Sequence, residues 1–226
     1  PHKVIAQSGA EIIRLWVGAE DFREDIRVSD DLFKQLGDAY RKIRNTLRFM
    51  LSNLAEFKPQ SDRVKTADLP ATGIDAWVLA EFDKLAAEGT DCYNRYAFRQ
   101  ANQAIYNFCN DTLSSIYLAA VKDRLYCDAK DSARRRRTRT ALWDLTDGLC
   151  RLLAPVLCHT ADEAFRSLHR CAETDELCVH LNEFITTDGK PGFGAKADAG
   201  WGAVLAFRES AQQKLERAKS EMGVEN

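Results

Sequence analysis

The stretch AYRKIRNTLRFMLSNLAEF, residues 39–57, decides the predicted fold. At about 100° per residue, its large apolar side chains fall within one stripe, as on a helix that packs inward. Together with one residue upstream, the stripe comprises Leu36, Tyr40, Ile43, Leu47, Met50, Leu51 and Leu54. The pattern predicts the second half of a long, central helix that begins after Ser29, with Asp30 and Asp31 in its first turn, where the helix dipole favours anions.

A basic face runs beside this apolar stripe. Arg41, Arg44 and Arg48 recur at spacings of three and four residues, and no acidic residue lies between them. Lys42 and Asn45 flank the three arginines. A helix with a buried stripe and a cationic ridge without acidic partners is suited to pack inward and to meet a polyanion outward. The alternative is an ordinary solvated basic face, which composition alone favours.

Length and composition restrict the class of protein. A chain of 226 residues, 45% hydrophobic and 29% charged, is typical of a soluble globular protein of one or two domains. The formal net charge of −2 argues against a uniformly basic RNA-binding protein, so any nucleic-acid surface must be local. No apolar run approaches the roughly 18 residues that a membrane span needs. The N-terminus does not resemble a signal peptide, and the missing initiator Met suggests a fragment. Seven irregularly spaced cysteines predict reduced thiols in a cytosolic protein.

Helical patterns recur along most of the chain. Capping boxes are predicted at residues 8–11 and 160–163, where a hydroxyl and a carboxylate each satisfy a backbone N–H group. Residues 171–200 are predicted to be mostly loop, with a short extended piece at Val179–Leu181. Further helices are predicted at 12–17, from 74 to 87 or on to 96, at 97–126 as two helices or one broken helix, at 132–154, from 160 through 168, and at 201–221. These patterns predict an all-α fold, an antiparallel helix bundle.

A second basic segment lies at residues 121–139. It holds eight Lys and Arg residues against three Asp residues, a net charge of +5 in a chain whose total is negative. The run from Arg134 to Arg137 follows the predicted N-cap Ser132, where each cation opposes the helix dipole by roughly 0.3–1 kcal/mol. Such a run suggests an external anion. Arg136, Arg139 and Trp143 share one face that can combine phosphate contact with base stacking. Pairing with acidic neighbours inside the bundle is an equal alternative.

Metal and catalytic sites find little support in the sequence. His169, Cys171, Cys178 and His180 form the pattern H-x-C-x₆-C-x-H, whose closely spaced ligand pairs match no common zinc site. There is no nucleophile elbow, no Gly-rich phosphate loop and no H-E-x-x-H motif. We therefore predict neither a metal site nor a catalytic residue in this chain.

Four segments carry a family resemblance. They are GAEIIRLWV at 9–17, VSDDLFKQLGDAYRKIRNTLRFMLSNL at 28–54, YAFRQANQAIYNFCNDTLSSIYLAAVKDRLY at 96–126 and LLAPVLCHTADEAF at 152–165. In this order they resemble the class I isoleucyl-tRNA synthetases, in the stretch that follows the catalytic domain. The RKIRNTLRF element separates the chain from the valyl and leucyl relatives. Cys158-His159 and Phe165 depart from the family pattern, which puts core detail in doubt.

The resemblance implies a helix bundle, residues 1–170, that binds the anticodon stem and loop of isoleucine tRNA. A loop-rich connection at 171–200 and the start of a carboxy-terminal junction helix at 201–226 would follow. The parent enzyme would be a cytoplasmic monomer, without membrane contact, that charges tRNA with isoleucine by using ATP and Mg. None of that chemistry is encoded in this chain, for which no cofactor is expected. The expected partners are the tRNA and the remainder of the parent synthetase.

The resemblance also assigns candidate RNA-binding residues through an RKIRN-type element at 41–48 and a KDR element at 122–124. With the arginine run, the expected RNA-binding residues are Arg41, Lys42, Arg44, Asn45, Arg48, Lys122, Arg124, Arg136, Arg139 and Trp143. For each residue of the two elements a structural role is the alternative, with Asp123 bridging to an arginine inside the bundle. Two other functions stay open: a helical protein-interaction domain on a synthetase-derived scaffold, and a valyl or leucyl relative.

Overall fold

The computed structural model describes residues 2–21, 23, 25, 28–172 and 174–223. Its helices pack around one hydrophobic core, so the all-α prediction is confirmed. The helices are α1 (His2–Ser8), α2 (Ala10–Ala19), α3 (Asp30–Asn53), α4 (Pro59–Asp62), α5 (Ile74–Asn94), α6 (Phe98–Asn107), α7 (Leu118–Tyr126), α8 (Ala133–Leu153), α9 (Cys158–His169) and α10 (Trp201–Met222). None of these helices is long and apolar enough to cross a membrane.

The remaining regular elements are short. A π-helical segment, Phe108–Tyr117, joins α6 to α7, and single 3₁₀ turns form at Thr66–Asp68 and Val179–Leu181. The extended piece predicted at Val179–Leu181 is therefore wrong. Two strands, β1 (Thr186–Thr187) and β2 (Lys190–Pro191), pair in antiparallel orientation.

Helix α8 is the innermost element. Every residue from 138 to 150 is buried, and α8 packs against α3, α5, α7 and α9. The spacing of Leu142, Leu145, Leu149 and Leu152 predicts an inner face for this helix, and all four are buried. The prediction that α3 is the central helix is wrong, since α3 buries one face and leaves the opposite face to solvent.

The caps and ends of the two long arginine-bearing helices follow the sequence. Ser29 Oγ accepts a hydrogen bond from the backbone N–H of Leu32 at 3.2 Å, as an N-cap does. Ser132 Oγ accepts the corresponding bond from Arg135 at 3.5 Å. Helix α8 ends at Leu153, as the proline two residues later predicts.

The first predicted capping box is wrong, and its carboxylate caps another helix. Glu11 Oε1 accepts hydrogen bonds from the backbone N–H groups of His159, at 2.7 Å, and Thr160, at 3.0 Å, at the start of α9. No side chain of α9 itself caps this end. From the same face of α2, Arg14 Nε donates to the carbonyl of Val156 at 2.8 Å. Helix α2 therefore holds the joint between α8 and α9.

The second predicted capping box is also wrong, because its two side chains contact another helix. The Thr160 hydroxyl lies 2.9 Å from the Tyr40 hydroxyl, and Glu163 Oε2 lies 3.1 Å from Arg44 Nη1. Both polar groups of α9 thus connect this helix to α3 and do not satisfy their own helix end.

The predicted two helices at 97–126 are confirmed as α6 and α7, which a π-helical segment joins without a turn or loop. The Ser114 hydroxyl donates to the carbonyl of Cys109, five residues earlier, at 2.8 Å, and Ser115 makes the corresponding bond. Tyr117, at the end of this segment, is fully buried, and its hydroxyl donates to Asp75 Oδ1 at 2.8 Å. The π-helical segment thereby places the Tyr117 side chain against the start of α5.

Candidate nucleic-acid interface

The first basic surface is the α3 ridge, defined as Arg41, Lys42, Arg44, Asn45 and Arg48. All five residues are exposed, so the predicted outward orientation is confirmed. The apolar stripe beside them faces the core, where Ile43, Leu47 and Met50 are buried. The ridge is therefore held outward by the packing of its own helix.

Three of the ridge cations already have partners. Arg41 pairs with Asp38 on its own helix, and Arg44 pairs with Glu163 of α9 at 3.1 Å. Lys42 Nζ lies 3.1 Å from the hydroxyl of Tyr106. Exposed ion pairs of this kind are worth about 0–1 kcal/mol, so a phosphate can replace their carboxylates at little cost. Arg48 and Asn45 form no side-chain hydrogen bond or ion pair with another described residue.

In the arginine run at the start of α8, two arginines bond to Asp128 and two have no partner among the described residues. Arg134 Nε donates to Asp128 Oδ2 at 2.8 Å, and this hydrogen bond lowers the pKa of Asp128. Arg135 is half-buried, and its Nη1 donates to the carbonyl of Asp128 at 3.0 Å. Arg136 is exposed and Arg137 half-buried, and the side chain of neither is paired with a described residue. The predicted pairing with acidic neighbours thus applies to the start of the run only.

Arg139 and Trp143 do not face solvent, and the predicted outward orientation is wrong for both. They are 8% and 9% exposed. The Arg139 guanidinium lies 5.4 Å from the ring centroid of Phe57, and the Trp143 ring packs 5.9 Å from the same ring. Burial lowers the pKa of Arg139, and the nearby Arg135 adds to this effect. The two residues share a face as predicted, but neighbouring helices cover this face because α8 lies in the centre.

The KDR element of α7 contains one outward cation and one structural cation. Lys122 is exposed and pairs with no described residue, whereas Arg124 Nη1 lies 3.0 Å from Asp75 Oδ2. Asp75 also accepts a hydrogen bond from the Thr138 hydroxyl at 3.0 Å. The predicted bridge from Asp123 is wrong, because Asp123 is exposed and forms no ion pair with a described residue. Arg124 therefore fixes α7 against α5 and α8.

Sequence reasoning missed Tyr126, the last residue of α7. Its side chain is 64% exposed, and it follows Lys122 by four residues, so the two share one side of the helix. The bonds from Arg134 and Arg135 to Asp128 tie the connecting loop to the first turn of α8. The available signal was an aromatic residue one turn after a cation, at the end of a helical pattern.

The α7–α8 corner is defined as Lys122, Tyr126, Arg136 and Arg137. It combines three cations that lack carboxylate partners among the described residues with an exposed aromatic ring. Cations of this kind neutralise phosphates, and an exposed ring offers a stacking surface for an unpaired base.

Two of the four residues of the H-x-C-x₆-C-x-H pattern, His169 and Cys171, make side-chain contacts of their own. His169 Nε2 lies 3.0 Å from Asp147 Oδ1, and its ring packs 4.3 Å from that of Phe165. The Cys171 thiol donates to the carbonyl of His169 at 3.5 Å. Within the described part of the chain, no three of the four place their ligand atoms together.

Comparisons with known proteins point to one family. A family model described as the anticodon-binding domain of tRNA ligase matches residues 75–226. The chain is 42% identical to an isoleucine–tRNA ligase of Desulfotalea psychrophila over 97% of its length. It is 39% identical to the enzyme of Desulfitobacterium hafniense and 40% identical to that of Syntrophotalea carbinolica, each over 98% of its length. The chain spans 23% of the length of each of these relatives.

A solved structure shares the fold. It is the ternary complex of LeuRS from Agrobacterium radiobacter K84 with tRNA and LeuAMS, which matches with a TM-score of 0.59 and 16% sequence identity. The match covers 83% of this chain and 21% of that chain. At this identity the likeness concerns the helical architecture alone.

Proposed function

The chain belongs to the family of the anticodon-binding domain of tRNA ligases, and from this membership we propose that it binds tRNA as part of an isoleucine–tRNA ligase. The parent enzyme charges isoleucine tRNA for protein synthesis by using ATP and Mg, and its catalytic residues lie outside this chain. It works in the cytoplasm as a monomer. The part of the bundle is to hold the anticodon stem and loop, for which it needs no catalytic cofactor.

The α7–α8 corner is the observation that carries this proposal. In a chain with a net charge of −2, the end of α7 and the start of α8 carry three cations that form no ion pair with a described carboxylate. Lys122, Arg136 and Arg137 contact phosphates, which position the RNA, and Tyr126 stacks on an unpaired base of the loop. This corner lies within the residues that the family model matches.

The α3 ridge makes additional phosphate contacts. Arg48 is free to do so directly, whereas Arg41 and Arg44 exchange their exposed carboxylate partners for phosphate oxygens. Arg124, Arg139 and Trp143 act from inside the bundle, where they fix the helices that carry the exposed cations. The loss of one of these three would disturb RNA binding through the fold.

Helix α10 packs against the remainder of the parent chain. Trp201, at its start, stacks on Trp77 at 5.4 Å, but Phe207 is 77% and Leu215 55% exposed. An exposed apolar set on one helix is typical of a surface that another part of a protein covers. The curated relatives are much longer than this chain, and their additional residues would provide the covering surface.

The salt dependence of tRNA binding tests the phosphate contacts. We expect the double variant Lys122→Ala/Arg136→Ala to lower the slope of log K against log salt by roughly 1.4–1.8, since each phosphate contact contributes about 0.7–0.9. Filter binding of isoleucine tRNA at several salt concentrations measures this slope. Lys84→Ala is the matched control, because it removes an exposed cation of α5 that pairs with Glu81. A slope that the double variant leaves unchanged would reject the corner as a phosphate site.

The stacking role has a different signature. Tyr126→Leu should weaken binding by about 1–3 kcal/mol without changing the salt slope, because it removes a ring and no charge. Tyr126→Phe should bind normally. A comparison of isoleucine tRNA with a noncognate tRNA then separates the two functions that the sequence left open. If neither tRNA binds at low salt, the chain is a protein-interaction domain.

A further inference from the structure

A group of metal-ligand side chains lies where α2 meets the first turn of α9. A carboxylate oxygen of Glu11, the thiol of Cys158 and a ring nitrogen of His159 all lie within 4.8 Å of one another. Glu11 is 9% exposed, Cys158 is half-buried and His159 is exposed, so the group connects the interior to solvent. Neither the tRNA-binding surfaces nor the family resemblance gives these three side chains a common role.

The Glu11 carboxylate is only half used by the protein. Oε1 accepts the two backbone N–H groups at the start of α9, but Oε2 is buried without a hydrogen-bond partner among the described residues. A buried, unpartnered carboxylate oxygen is costly, and such an atom in a folded protein indicates a partner that occupies the remaining lone pairs. Because no described residue supplies that partner, an ion or a water molecule can take its place.

The other two side chains of the group also have unused ligand atoms. The Cys158 thiol and the His159 ring form no hydrogen bond, ion pair or ring contact with another described residue. This differs from the His169 ring, which bonds to Asp147 at 3.0 Å and packs between aromatic rings. Cys158 and His159 therefore have their ligand atoms available, whereas His169 does not.

We propose that Glu11, Cys158 and His159 bind a zinc ion. Thiolate, imidazole and carboxylate are the ligands that Zn²⁺ accepts, whereas Mg²⁺ and Ca²⁺ require oxygen ligands. Three protein ligands leave the fourth tetrahedral position to a water molecule on the exposed side. The charges of Glu11 and the Cys158 thiolate balance that of the ion, so that no net charge is buried.

The geometry needs only a small adjustment. Zinc–ligand bonds of about 2.0–2.3 Å in a tetrahedral arrangement place ligand atoms about 3.3–3.8 Å apart. The observed limit of 4.8 Å is about 1–1.5 Å wider. Rotation of the exposed His159 ring and of the half-buried Cys158 side chain can close this gap, while the hydrogen bonds of Oε1 hold Glu11 in place. The ion then ties α2 to α9 and adds to the contacts that hold the α8–α9 joint.

Cobalt substitution tests the ligand set directly. We expect Co²⁺ to give a thiolate-to-cobalt charge-transfer band in the near ultraviolet with the unaltered chain. The band should disappear in Cys158→Ser and persist in the control variants Cys171→Ser and Cys178→Ser, whose thiols lie elsewhere. His159→Ala should keep the band but weaken cobalt binding by at least about tenfold. The absence of a band, or a band that survives Cys158→Ser, would overturn the proposal.

Thiol protection tests the site without any substitution. With Zn²⁺ at ten times its Kd, alkylation of Cys158 should slow by roughly tenfold, because about one site in eleven is empty. The exposed Cys127 is the internal control and should react at an unchanged rate. Peptide mass spectrometry reports both rates from one sample. Equal slowing of both cysteines, or no slowing of Cys158, would exclude the ion from this site. Neither measurement depends on tRNA.

Discussion

Helices α3 and α8 begin alike and end in different environments. Both are capped by a serine, run for more than twenty residues and carry several arginines. The arginines of α3 are exposed, whereas Arg139 of α8 is 8% exposed and packs on Phe57. The difference teaches that the number of neighbouring helices, more than the local pattern of charges, decides where a long cationic side chain points.

The ion pairs of the two helices also differ in how exposed their carboxylates are. The partners of the α3 arginines, Asp38 and Glu163, are exposed. In the α8 region the carboxylates are buried: Asp144 is 1% exposed beside Arg63 at 2.7 Å, and Asp75 accepts bonds from Thr138 and Tyr117. A buried carboxylate depends on its partners far more than an exposed one does.

The largest expected effect comes from removing a buried carboxylate. Asp75→Ala should lower the free energy of unfolding by about 3–5 kcal/mol, because it leaves the Tyr117 and Thr138 hydroxyls and Arg124 without their common acceptor. Asp38→Ala, which removes the exposed partner of Arg41, should change it by less than about 1 kcal/mol. Urea denaturation followed by circular dichroism measures both. Equal losses in the two variants would contradict the contrast between the helices.

The next effect is a pH dependence that originates in α8. Burial raises the pKa of Asp144 from 3.8 to about 7, against the lowering effect of Arg63. The folded protein therefore holds this proton more tightly than the unfolded chain, and the stability it contributes is complete below about pH 4 and falls as the pH rises to about 7. The loss amounts to at most about 4 kcal/mol.

Urea denaturation at pH 4, 5.5, 7 and 8 measures this dependence. The Asp144→Asn variant is the control, since it cannot titrate at this position. The difference in unfolding free energy between the unaltered chain and the variant should shrink towards pH 7 and level off above it. A difference that stays constant over this range would show that Asp144 titrates alike in the folded and unfolded chains.

The smallest expected effects on stability come from replacing one glycine in each helix by alanine. A Cβ atom on Gly148 of α8 would lie 2.4 Å from Phe82 Cζ, in a fully buried ring, so Gly148→Ala should destabilise the fold by about 1–3 kcal/mol. On Gly37 of α3 the nearest atom is Arg41 Nη1 at 3.9 Å, and Gly37→Ala should stabilise the helix by about 0.5–1 kcal/mol. Thermal unfolding of the two variants measures the sign. Shifts of the same sign would contradict the packing difference.

Local features of the chain were predictable because their causes are local. Apolar spacing placed the stripe of α3, serine caps placed the starts of α3 and α8, and a proline placed the end of α8. The exposed α3 ridge followed from the same spacing. Tyr126 escaped notice because its exposure depends on which side of α7 the neighbouring helices leave uncovered.

The sequence by itself determined that this chain is a bundle of amphipathic helices with local excesses of positive charge, since periodicity and capping act within a few residues. Only the tertiary structure decided which cations are free. In the folded chain the carboxylate of Glu11 caps α9, Glu163 pairs with Arg44, and Arg139 is buried beside Phe57. These choices join residues more than eighty positions apart, and each depends on the competition between burial and solvation at a helix contact, which no local pattern records.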